Sequence, residues 1–96
     1  MKKHHEKGSE QKRALLTICL QLAEKDDYRL ITREQIAQQS GVSPGLISWY
    51  FGAMVRLRTE IVQYAIATDN AEVIAQAVTA GHPLVKDYTL NLEGPR

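Results

Sequence analysis

The chain has 96 residues, 44% of them hydrophobic and only 6% aromatic, with a formal net charge of +1. That length suits one small domain with a single, mainly aliphatic core and excludes two. The lone cysteine, Cys19, excludes an internal disulfide and a cysteine-rich zinc centre, and no apolar run approaches the ~20 residues of a membrane span. With no signal-peptide pattern either, a cytoplasmic protein without a membrane partner is expected.

Alternating strand patterns are absent before the tail, so the expected fold class is all-α: a small helical bundle. Residues 1–8, MKKHHEKG, are basic and without periodicity. They read as a disordered basic arm, either a frayed terminus or a segment lying along DNA. His4 and His5 are adjacent, which is not the spacing of a metal site, and no metal or other cofactor is expected. Ser9 is positioned to cap a first helix ending near Lys25. Leu15, Cys19 and Leu22, joined by Leu16, Ile18 and Ala23, give that helix a broad apolar face. Cys19 therefore reads as a buried thiol acting as a small hydrophobe.

Residues 32–51, TREQIAQQSGVSPGLISWYF, carry the densest signal. Thr32 and Gln35 form a T-x-x-Q capping box at a helix start, with Leu30 and Ile31 ahead of it as a hydrophobic staple. Gly41 stands where a tight inter-helix turn needs positive φ. Ser43 and Pro44 are the N-cap and first position of the next helix. Val42, Ile47 and Phe51 are spaced to lock that helix onto its predecessor. This is a helix-turn-helix pattern, with the two helices at about 33–39 and 44–50.

Gly52-Ala53 marks a bend before a long fourth helix with the stripe Leu57, Ile61, Tyr64 and Ala65. Asp69-Asn70 interrupts the pattern, and Asp69 with Glu72 is a candidate capping box for a fifth helix. Val73, Ile74, Ala77 and Val78 continue an apolar face to the stop Gly81-His82-Pro83. The two helices are either separate or one bent rod. The tail, 84–96, alternates around Tyr88, Leu90 and Leu92, which fits a short strand, an extended arm or a disordered end. The expected organisation is thus an arm (1–8), a helix-turn-helix domain (9–67), a dimerisation helix (68–83) and an extended tail (84–96).

Charge is unevenly spread. Residues 1–58 hold ten Lys/Arg against six Asp/Glu, a balance of +4, whereas 59–96 balance to −3. A basic end joined to an acidic one suggests that one end faces phosphate.

The residues Thr32, Ile36, Ala37, Gly41, Val42, Ser43, Gly45, Ile47, Trp49, Tyr50, Phe51 and Leu57 resemble the N-terminal DNA-binding domain of tetracycline-repressor-type regulators. The resemblance covers roughly residues 10–67. It implies a sequence-specific transcriptional regulator, a repressor, binding a palindromic double-stranded DNA operator as a homodimer. Two positions depart from the family pattern. Ser48 stands where a tyrosine is usual, and Met54 where a lysine is usual, and both usual residues commonly touch DNA phosphates. The ~30 residues that follow are too few for a separate core with a pocket, so ligand induction is not expected.

In this geometry Ser43, Pro44, Gly45, Ser48 and Trp49 face the groove, with Tyr50 near the backbone and Thr32 and Arg33 at the start of the preceding helix. None of the residues on the recognition helix is Arg, Lys, Asn or Gln, so bidentate base contacts are unavailable from it. Arg33 is the candidate phosphate or guanine contact. Ile61, Tyr64, Ala65, Val73, Ile74, Ala77 and Val78 supply more apolar face than a three-helix core needs and are the expected dimer interface. The alternative is a protein-interaction module on the same fold, docking on a host or regulatory protein through Trp49. No carboxylate pair, nucleophile–base set or phosphate loop suggests an enzyme.

Overall fold

A computed structural model describes the backbone over residues 2–86 and side chains over 10–86. The domain is all-helical. Five α-helices follow in order: α1 (Lys2–Lys25), α2 (Arg33–Ser40), α3 (Pro44–Phe51), α4 (Met54–Ala67) and α5 (Ala71–Ala80). Short 3-10 turns lie at Tyr28–Leu30 and Pro83–Val85. α1 packs against α2, α4 and α5, while α2 packs on α3.

α1 starts at Lys2, so the backbone of residues 2–8, read as an arm, is helical, and Ser9 lies within the helix and not at its N-terminus. Lys, Glu and Gln are good helix formers, and the ~1 kcal/mol that Gly8 costs is too little to stop them. After α1, Asp27 caps the 3-10 turn by accepting the Arg29 N–H. Tyr28 and Ile31 are buried there, while Leu30 is exposed.

α4 and α5 are separate helices, joined by a left-handed residue. Asp69 has φ +59°. Its N–H donates to the Ile66 carbonyl and the next N–H, that of Asn70, to the Ala65 carbonyl. This is the Schellman closure, with Asp in the place glycine usually takes. Because Asp69 closes α4, the cap of α5 falls one residue later than the sequence suggests. Asn70 Oδ1 accepts from Val73 N–H, and the Asp69–Glu72 capping box does not form. Asn70 also donates to Glu24 of α1 at 2.7 Å. Gly81 (φ +73°) closes α5 by the same device.

The core draws on every element. Leu15, Cys19 and Ala23 of α1 share one buried cluster with Ile36, Ile47, Phe51, Leu57, Val62 and Val85. Five of the seven residues expected at a dimer interface lie inside this core: Ile61, Ala65, Val73, Ile74 and Ala77 are at most 3% exposed in the single chain. This corrects the interface. The apolar surface that looks surplus for three helices is consumed by a five-helix core. Tyr64 and Val78 are half-buried at its margin. Pro83–Val85 opens the stretch read as a tail, and its alternating residues Tyr88, Leu90 and Leu92 lie outside the described residues.

Candidate nucleic-acid interface

The helix-turn-helix is built by local chemistry. Thr32 Oγ1 accepts from Gln35 N–H at 3.2 Å, and Gln35 Oε1 accepts from Thr32 N–H at 2.9 Å. Both arms of the capping box are therefore made. α2 ends at Gly41, whose φ of +77° would strain any side-chain-bearing residue although the space around it is open. Gly41, Val42 and Ser43 carry the chain to α3. Ser43 Oγ accepts from Leu46 N–H at 3.2 Å, and Pro44 takes the first helical position. Leu46 N–H is thus capped, Ile47 N–H donates to the Ser43 carbonyl at 3.1 Å and Pro44 has no N–H, which leaves Gly45 with the one first-turn N–H that has no recorded partner.

α3 divides cleanly. Ile47 and Phe51 are buried and Tyr50 half-buried against the core, at spacings of three and four. The opposite face carries Gly45, Leu46 and Trp49, with Ser43 and Pro44 at its start, all exposed. Trp49 is 76% exposed. Its ring stands edge-on to Tyr50 at 5.2 Å, which limits how far the indole swings. Ser48 lies half-buried between the two faces. No atom lies within 4 Å of a Cβ built on Gly45, so a partner can approach the backbone there.

Two candidate contacts have structural duties. The Tyr50 hydroxyl donates to Gln11 Oε1 at 2.9 Å and ties α3 to α1. Arg33 Nη2 donates to the Gly52 carbonyl at 3.0 Å and braces the α3–α4 bend. Arg33 keeps free donors beyond that one, so bracing and a phosphate contact are compatible. Thr32 is exposed, its oxygen engaged in the cap. Lys12 is held by Glu60 at 3.0 Å and sits 5.4 Å from the centre of the Phe51 ring, which packs α1 against α3 and α4.

Three residues near this surface escape the sequence reading. Leu46 is 38% exposed beside Trp49, and Val55, in the first turn of α4, is 73% exposed. Both look like core positions in an apolar run. Gln11 carries no local signal, because its partner is 39 positions away. Met54 packs against the core. Its apolar character has a use in this chain.

Elsewhere, burial pushes the Cys19 thiol up to about 12, so at neutral pH it is neither a nucleophile nor a thiolate ligand. Among the described residues no three His, Cys, Asp or Glu side chains gather as a metal set, and no helix is long and apolar enough to cross a membrane.

Searches of family models, curated proteins and solved structures found no match to this chain.

Proposed function

We propose that the chain is a helix-turn-helix DNA-binding protein that inserts α3 into the major groove and acts as a transcriptional repressor. The observation that carries the reading is α3 itself. It is an eight-residue helix anchored by Ile47, Tyr50 and Phe51, with its capped N-terminus and the outer surface of Gly45, Leu46 and Trp49 exposed. A helix so held presents its first turn to base edges, and the N–H of Gly45 suits a phosphate oxygen. Thr32, Arg33, Ser43, Pro44, Gly45, Ser48, Trp49 and Tyr50 form the proposed contact set. Arg33 and the exposed Arg56 place positive charge beside Gly52, at the C-terminal end of α3. Occupancy of an operator is enough to obstruct transcription.

One recognition helix covers few base pairs, and two copies on a two-fold operator would answer this. In that arrangement the copies meet through surfaces other than Ile61, Ala65, Val73, Ile74 and Ala77.

The test is an anisotropy titration against a duplex library at low and raised salt. With so few cationic side chains the expected binding is modest and weakens as salt rises. Absence of any salt-dependent binding at low ionic strength would sink the proposal.

A second reading is favoured by one observation: the most exposed large apolar side chain at the site is a tryptophan, on a helix with no charged residue. Such a surface also suits docking on a protein partner. It predicts partner capture that Trp49→Ala abolishes, with no duplex binding at any salt.

A further inference from the structure

We infer that the outer face of α3 reads duplex DNA through thymine methyl groups instead of base-edge hydrogen bonds; this rests on the DNA-binding reading above. The major-groove floor offers hydrogen-bonding edges on all four bases but an apolar group on thymine alone. The surface that would meet it is apolar. Leu46 and Trp49 are one turn apart on the exposed side, Pro44 opens the helix, and Val55 follows just after the bend. The hydrogen-bonding groups of α3 are few and partly committed. Ser43 Oγ caps Leu46 N–H, the Tyr50 hydroxyl donates to Gln11, and Ser48 is half-buried. The Ser43 and Ser48 hydroxyls and the Trp49 indole N–H remain as single donors, and no Arg, Lys, Asn or Gln is present on α3 to make the bidentate contacts that read a base edge.

Charge complements this division. α3 has no ionic side chain, and Arg33 and Arg56 both stand beside Gly52 at its C-terminal end. The Arg56 stem runs along the α3–α4 bend, its Cδ 3.9 Å from where a Gly52 Cβ would be. Cations at one end of an apolar strip can hold the backbone phosphates beside a groove whose floor the strip meets. Without the open backbone at Gly45, Leu46 and Trp49 would be held off the groove floor.

The experiment uses the full chain and a duplex pool selected on it from a randomised library. The pool is re-amplified once with thymidine and once with deoxyuridine, which pairs identically but lacks the methyl. The deoxyuridine pool is expected to bind more weakly, by about fourfold for each methyl engaged, the worth of one buried methyl-sized group. Trp49→Gln, at an exposed position and checked for an unchanged thermal transition, is expected to shrink the difference between the pools. Equal affinities for the two pools would overturn methyl reading while leaving DNA binding standing. A full pool difference surviving in Trp49→Gln would also overturn it, since Trp49 would then not do the reading. If no duplex is retained at low salt, this inference and the DNA-binding reading fall together.

Discussion

Among single residues, Gln76 has the largest structural role that sequence gives no hint of. Its Oε1 accepts the Tyr28 N–H at 2.9 Å, and its Nε2 donates to the Ala23 carbonyl at 2.8 Å. One amide thus joins α5 to the end of α1 and to the turn that follows. Gln76→Ala leaves two part-buried backbone groups unpartnered and is expected to lower stability by about 2 kcal/mol in denaturant unfolding. A loss below about 0.5 kcal/mol would mean that water replaces both bonds. Asp27 makes a pH-dependent contribution. Its hydrogen bond from the Arg29 side chain holds its carboxyl below the usual carboxylate range, against a smaller opposing effect of burial. A carboxyl lowered in the folded state adds stability that is complete above the unfolded value, about 3.9, and is lost as pH falls through the folded one. The exposed setting keeps the effect small. Asp27→Asn retains a capping oxygen but not the charge, so its melting temperature is expected to approach that of the wild type as pH falls below about 4. A constant gap across that range would rule out the Asp27 charge as its source.

Helix ends are the elements whose chemistry is written locally, and they are where sequence and structure agree best. Thr32 with Gln35, Gly41, and Ser43 with Pro44 each act within four residues, so the α2–turn–α3 unit is legible from the chain alone. The α4–α5 junction shows the limit of that legibility. Asp69 and Asn70 are both good caps, and the choice between them depends on how α4 closes, which only the backbone conformation reveals. Asp tolerates the left-handed region better than most residues and a β-branched residue tolerates it poorly. Asp69→Val is therefore expected to cost about 1–2 kcal/mol, whereas Asp69→Gly should be close to neutral. Equal losses for the two variants would show that the Asp69 side chain, not its φ, matters. The bridges from Gln11 to Tyr50 and from Arg33 to Gly52 join residues 39 and 19 positions apart, and such pairs leave no periodic trace in a sequence.

At the scale of the whole molecule, the apolar residues of α4 and α5 were the hardest to assign from sequence. A stripe such as Ile61, Ala65, Val73 and Ile74 looks the same whether it meets the chain's own helices or a second copy. All four are at most 3% exposed in one chain, because α1, at 24 residues, is long enough to contact α2, α4 and α5. Ile61→Ala is consequently expected to cost 2–5 kcal/mol, about the usual range for a core truncation. Its melting temperature should not depend on protein concentration. A transition that sharpens upward with concentration in the wild type and loses this in the variant would return Ile61 to an interface between copies. The thiol of Cys19 lies at the middle of this same packing, fully screened from solvent. It therefore serves as a clock for global opening. A thiol-reactive label can reach it only when α1 separates from α4 and α5, so the labelling rate measured against denaturant reads the free energy of unfolding without any engineered probe. If the DNA-binding proposal holds, the same rate falls when a selected duplex is added, because a ligand of the native state lowers the population of the open one.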